Sequence, residues 1–113
     1  MVPVSEEHVS RGDIFLVVMN PTRGSEISKT RPCVIVSTVG LNSHLRTFIV
    51  APLTTGGQPY PFRVQCTFDG KDGHIAADQL RAVDRERLVK QLGRLSESTL
   101  NELLGALQAM FAA

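Results

Sequence analysis

Residues 12–39 read GDIFLVVMNPTRGSEISKTRPCVIVSTV, and the fold turns on how they divide. Ile14, Phe15, Leu16, Val17 and Val18 form a run rich in β-branched and aromatic side chains. It is short for a helix and lacks strict alternation, which predicts a strand covered on both faces, ended by Asn20-Pro21. Cys33 to Val39 repeats the pattern. Two strands therefore flank a polar segment, Asn20 to Pro32, which is long for a hairpin connection and carries Arg23, Glu26, Lys29 and Arg31. Loops of this length inside a small domain are usually functional. Pro32 biases Arg31 toward extended backbone, and a guanidinium held at a strand entrance is suited to clamp a phosphate or carboxylate.

Outward from this segment the pattern stays mostly β. Gly40 to Ser43 is turn chemistry, and Arg46 to Leu53 makes a third strand that runs into Thr54-Thr55-Gly56-Gly57, where hydroxyls and unhindered amides can converge. If the third strand pairs beside the second, its end lies on the same edge as the start of the second, and Arg31 meets Thr54. Tyr60 to Phe68 alternates, with Phe62, Val64, Cys66 and Phe68 on one face, as a half-buried strand does. Asp69 to Gly73 is a turn, His74 to Leu80 a strand continuing through Asp84, and Asp84 an N-cap for a short helical turn at Arg85. Val89 to Leu95 is a last short strand. Before Arg11 the chain reads as a tail with little to bury.

The C-terminus is helical. Ser96 is its N-cap, Leu95 and Leu100 form a hydrophobic staple, and Leu100, Leu103, Leu104, Leu107 and Phe111 make an apolar stripe. The stripe packs on the sheet, with Met110 and Phe111 also placed to touch a second subunit. About five to seven short strands and one terminal helix predict a strongly bent antiparallel sheet or partial barrel, mainly β, with the helix against it.

The totals bound the answer. A chain of 113 residues with 42% hydrophobic content makes a single domain, 1–113, with one modest core. A formal charge of +1 marks no global nucleic-acid binder, so any such surface is a local patch. Arg81, Arg85, Arg87, Lys90 and Arg94 form the one basic concentration, but Asp84 and Glu86 interleave with it, as on a solvated face. Cys33 and Cys66 lie in apolar runs and read as small buried residues, not as a disulfide or metal framework. No charged leader precedes an apolar stretch and no window is long enough to span a bilayer, which predicts a cytoplasmic protein.

The pieces RGDIFLV, NPTRGSE, KTRPCVIVS, APLTT, YPFRV and ADQLRAVD, in order from about Arg11 to about Phe111, together resemble the MazF/PemK family of toxins from bacterial toxin-antitoxin modules. The resemblance implies a small Src-homology-3-like antiparallel barrel with a C-terminal helix, and a homodimer. It also implies a sequence-selective endoribonuclease acting on single-stranded RNA, held inactive by a cognate MazE/PemI-like antitoxin. Carried over by motif, the arginine of TRP and the threonine of PLT make Arg31 and Thr54 the catalytic pair. Glu26 matches an acidic loop position, placed for proton transfer, for orienting Arg31, or for a plain salt bridge with Lys29 or Arg31. Arg23, Lys29, Thr55, Tyr60 and Asp78 are the candidate RNA contacts, Tyr60 as a ring on which an unpaired base stacks. In Kid-type members an arginine and an aspartate of a later strand, with a loop histidine, serve as acid and base. This chain has Asp78 at the aspartate position but Ala76 and Ser25 at the other two.

The chemistry expected is metal-independent and needs no cofactor. No closely spaced ligand set, phosphate-binding glycine loop or nucleophile elbow is present in the sequence. RNA cleavage needs neither, since the neighbouring 2′-hydroxyl attacks phosphorus if the strand is aligned, charge on the phosphoryl oxygens is stabilised and two protons move. Arginine is a poor base, so Arg31 is assigned to charge stabilisation. His44 and His74 have the right chemistry, but both are flanked by turn residues and read as solvated. Two other readings stay open: a CcdB-like toxin that binds DNA gyrase without chemistry, and a small-barrel adaptor.

Overall fold

The computed structural model describes residues 9–26, 29–42, 44–56 and 60–113. Its strands are β1 (Asp13–Val18), β2 (Thr30–Ile35), β3 (Thr47–Thr55), β4 (Arg63–Phe68), β5 (Lys71–Ala76), β6 (Arg81–Asp84) and β7 (Leu88–Arg94), with a one-turn helix α1 (Val39–Asn42) and the terminal helix α2 (Glu97–Met110). They form one antiparallel sheet in the order β4-β5-β3-β2-β1-β7, with β6 also paired to β3. Along one edge β3 pairs β6 through Thr47 to Val50 and then β5 through Leu53 to Thr55, so this long strand carries the bend of the sheet.

Consecutive apolar residues of β1, β2 and β3 point to opposite faces, and both faces are covered. Ile14, Val34, Ala51 and Leu53 join Ile75 and the helix residues Leu103 and Leu107 in one buried cluster. Phe15, Val17, Cys33, Ile35 and Val50 join Phe48, Val83 and Leu88 in a second. The single core expected from chain length is thus split by the sheet into two layers. Ser96 caps α2 as expected, its Oγ accepting from the Thr99 amide at 3.2 Å. Phe111 does not extend the stripe: the helix ends at Met110, Phe111 leaves helical backbone at φ −104°, and it is 72% exposed.

Other elements differ from the sequence reading for local reasons. The second strand spans Thr30–Ile35, not Cys33 to Val39, so the last residues read as loop belong to the ladder. It stops there because Ser37 turns inward: its Oγ donates to the buried Asn42 at 2.5 Å and accepts from the Ile49 amide at 3.1 Å. The expected turn at Gly40 to Ser43 is the single helical turn α1; Ser43 lies outside the described residues. Phe62 leaves the alternation of β4, because it sits at φ +64° and is 40% exposed, while Val64, Cys66 and Phe68 face the helix-side core. The turn after β4 is only Asp69-Gly70, at φ +54° and +73°, the left-handed pair that a tight hairpin requires, so β5 begins at Lys71. The strand expected from His74 to Leu80 breaks at a 3-10 turn, Ala77–Gln79. Asp84 caps the next such turn, accepting from the Glu86 amide. Of the expected N-terminal tail, residues 1–8 lie outside the described residues, but Val9 is buried at 1% exposure and its carbonyl accepts from Asn42. Among the described residues no helix is long and apolar enough to cross a membrane.

Candidate active site

Arg31 and Thr54 come together through the register of the sheet. β2 pairs β3 with Cys33 opposite Pro52, where that ladder ends, and Arg31 and Thr54 each lie two residues beyond this pair on their own strands. Arg31 is also opposite Val17 of β1, so it sits within the strand rather than at its entrance. Arg31 and Thr54 are both half-buried and line one cavity of about 360 Å³, with Thr55 at its rim and an apolar floor that includes Leu53, Phe68 and Leu92. The Thr54 hydroxyl donates to the His74 carbonyl across the ladder at 3.3 Å. A short rotation of that hydroxyl redirects its proton to an oxygen in the cavity.

Glu26 stands elsewhere in the site. Its carboxylate accepts from the Arg23 amide at 2.5 Å while its own amide donates to the Arg23 carbonyl, closing a turn inside the β1–β2 loop. It lines a second, more polar cavity of about 170 Å³ with Met19, Pro52, Asp78, Gln79 and Arg81. β3 contributes to both cavities, Pro52 to this one and Leu53, Thr54 and Thr55 to the first. Arg23 and Lys29 are exposed on the loop; Ile27 and Ser28 lie outside the described residues. The stem of the loop is tied. The Met19 amide donates to the Lys29 carbonyl at 2.9 Å, and the Lys29 amide donates to the Asn20 side chain at 3.3 Å.

The basic run that sequence reading treated as a solvated face has another use. Arg81 donates to the Met19 carbonyl at 2.7 Å, Arg87 donates to the carbonyls of Val18 and Asn20, and Arg94 pairs with the buried Asp13 at 2.7 Å. Two of these arginines therefore anchor the loop that carries Glu26. Burial pushes the Cys33 thiol up to about 12, opposed by Arg81 and Arg31, which places both guanidiniums near it and leaves the thiol uncharged. Among the described residues no group of three or more His, Cys, Asp or Glu is gathered where it would hold a metal ion.

Asp78 is held by a residue that the motifs did not single out. Arg63 stands opposite Ala76 on β4 and reaches Asp78 with two hydrogen bonds, at 2.5 and 2.9 Å. A guanidinium thus serves Asp78 although position 76 lacks one. The Tyr60 ring, 58% exposed, lies 5.7 Å from the same guanidinium. Gly57, Gln58 and Pro59, which include the end of the TTGG turn, lie outside the described residues. The Arg63 hydrogen bonds hold the Asp78 carboxyl below its ordinary value, against the opposing effect of burial. A depressed carboxylate stabilises the fold above its unfolded value and loses that contribution as pH falls through the folded one. Asp78→Asn is therefore expected to lower the melting temperature at neutral pH and to converge with the wild type in acid. The effect is at most about 1 kcal/mol, because the pair is partly exposed and screened. Melting curves across the acid range check this, and a constant gap would contradict it.

With this geometry in view, residues 10–111 match the family described as PemK-like, MazF-like toxin of type II toxin-antitoxin system. The chain is similar to Endoribonuclease PemK of Escherichia coli, 36% identical over 108 residues that cover 90% of this chain and 81% of that protein. In structure it is similar to MazF from Deinococcus radiodurans, with a TM-score of 0.82 at 26% identity over 93% of this chain and 97% of that one. It also shares the fold of the MazE-MazF complex from the same organism, with a TM-score of 0.75 at 24% identity over 92% and 95% of the two chains. The match spans both cavities, the β1–β2 loop and the terminal helix, and the chain belongs to the PemK-like, MazF-like toxins of type II toxin-antitoxin systems.

Proposed function

We propose that this chain is the endoribonuclease toxin of a toxin-antitoxin module, cutting single-stranded RNA sequence-selectively without a metal. The observation that carries the reading is that Arg31 and Thr54 line one cavity. The 2′-hydroxyl attacks the adjacent phosphorus, the bond to the 5′-oxygen breaks, and the products are a 2′,3′-cyclic phosphate and a 5′-hydroxyl. Arg31 stabilises the charge that grows on the phosphoryl oxygens, and Thr54 adds a hydroxyl donor. Glu26 orients the loop over the phosphate or moves a proton. Arg23, Lys29 and Thr55 follow the strand, and the exposed Tyr60 ring offers a face to an unpaired base.

A second copy of the chain and a MazE/PemI-like antitoxin are the protein partners in this reading. Exposed Phe111 at the end of α2 supplies an apolar contact for the first. A flexible antitoxin segment lying over the cavities would exclude RNA. Cleavage of a mixed single-stranded RNA in excess chelator is expected to proceed undiminished and to leave 5′-hydroxyl ends, mapped by sequencing them. Activity that disappears with chelator and returns with magnesium, or 5′-phosphate ends, would overturn the 2′-hydroxyl route.

A further inference from the structure

His74 was read from sequence as solvated, at the start of a strand and flanked by turn residues, yet it is an interior position of β5, half-buried, with Thr54 directly opposite on one side and Gln65 on the other. Directly opposed residues of an antiparallel pair share a face, with Cβ atoms about 4.5–5.5 Å apart. The imidazole therefore flanks the Thr54 side chain, and Thr54 in turn lines one cavity with Arg31. Its Nδ1 lies 2.9 Å from the Gly56 carbonyl oxygen. A carbonyl only accepts, so Nδ1 carries the proton, and in the neutral ring Nε2 keeps its lone pair. The ring is thus fixed in tautomer and orientation by one end of the TTGG turn while its backbone holds the Thr54 hydroxyl.

We propose that His74 is the general base of the reaction, an inference that rests on the ribonuclease reading above. Nε2 takes the proton of the 2′-hydroxyl as the 2′-oxygen bonds to phosphorus. The bond from phosphorus to the 5′-oxygen breaks, water supplies the proton that the 5′-oxygen takes up, and the imidazolium returns its own proton to solvent. The charged groups that share this face are few. Asp72 comes from β5 and is engaged by the Thr67 hydroxyl at 2.7 Å. Arg63 from β4 is paired with Asp78 beyond the end of β5, and Arg31 of β2 lines the cavity that Thr54 also lines. β3 contributes none among the described residues.

The test is single-turnover cleavage of a defined RNA oligonucleotide across the acid to neutral range by the wild type, His74→Gln and His74→Ala. The glutamine amide keeps a donor for the Gly56 carbonyl, and melting temperatures check the fold of each variant. The wild-type rate is expected to rise about tenfold per pH unit in acid and then level off. His74→Gln is expected to lose about 10²-fold at the plateau together with that pH dependence, and added imidazole to restore part of the His74→Ala rate. A variant that keeps the wild-type rate overturns the inference. So does one that is slower but retains the pH dependence and does not respond to imidazole, since that is the behaviour of a structural residue. Failure of the wild type to cut RNA at any pH overturns the ribonuclease reading, whereas wild-type cutting with an unaffected His74→Gln overturns only the base.

Discussion

Arg31→Ala is expected to slow single-turnover RNA cleavage about 10²-fold to 10³-fold, the usual loss when one donor to a developing oxyanion is removed. The backbone of residue 31 pairs with Val17 of β1, so alanine keeps the strand while removing the guanidinium from the cavity. Arg31→Lys should recover little, because an ammonium does not reproduce the two-pronged geometry of a guanidinium on a phosphoryl group. Thr54→Val keeps the shape of the side chain and removes the hydroxyl, so its loss reports the donor alone. If the two residues act on one phosphate, the double variant loses less than the product of the single losses. Melting temperature and binding to the cognate antitoxin verify that each variant is folded. Wild-type rates in both single variants, with the fold preserved, would remove the pair from the chemistry and favour a toxin that acts by binding.

How much of this was legible in the sequence depended on how local the cause was. The β-branched runs of β1, β2 and β3 announced strands buried on both faces, and the Ser96 cap and leucine stripe announced α2, because each signal lies within a few residues. Strand ends were less legible. β2 begins before Pro32, which the ladder places opposite Leu16 of β1, and it stops early because the Ser37 side chain, not its place in a run, decides where the ladder ends. That Arg31 and Thr54 come to line one cavity was readable from motif and from the hairpin rule together. Arg63, His74 and Arg81 were not, since their meaning comes from register. Arg63 reaches Asp78 across a ladder 15 positions away, and Arg81 reaches Met19 from 62 positions away. Charge counting alone made the arginines after β5 look like solvent-facing residues.

Gly73→Ala is expected to cost about 3 kcal/mol or more, at the upper end of what overpacking usually does. Gly73 pairs with Thr55, and a Cβ added to it would stand 1.8 Å from the Thr54 carbonyl oxygen, 2.9 Å from the Thr54 carbonyl carbon and 3.1 Å from the Thr55 Cα. All three are backbone atoms, so no side-chain rotation relieves the overlap. Either β5 moves away from β3 or the Thr54 peptide turns, and both break the ladder at the residue whose hydroxyl faces the cavity. For a domain of this size the melting temperature should fall on the order of 10–20 °C. Cleavage should fall further than stability explains, because Thr54 and His74 are displaced together. Gly105→Ala is the contrasting substitution: nothing lies within 4 Å of its Cβ, and it sits inside α2, so it should raise stability by about 0.5–1 kcal/mol through backbone entropy. Denaturant titration and single-turnover cleavage of both variants make the comparison. A Gly73→Ala protein as stable and as active as the wild type would mean that the close approach of β5 to β3 does not set the position of Thr54.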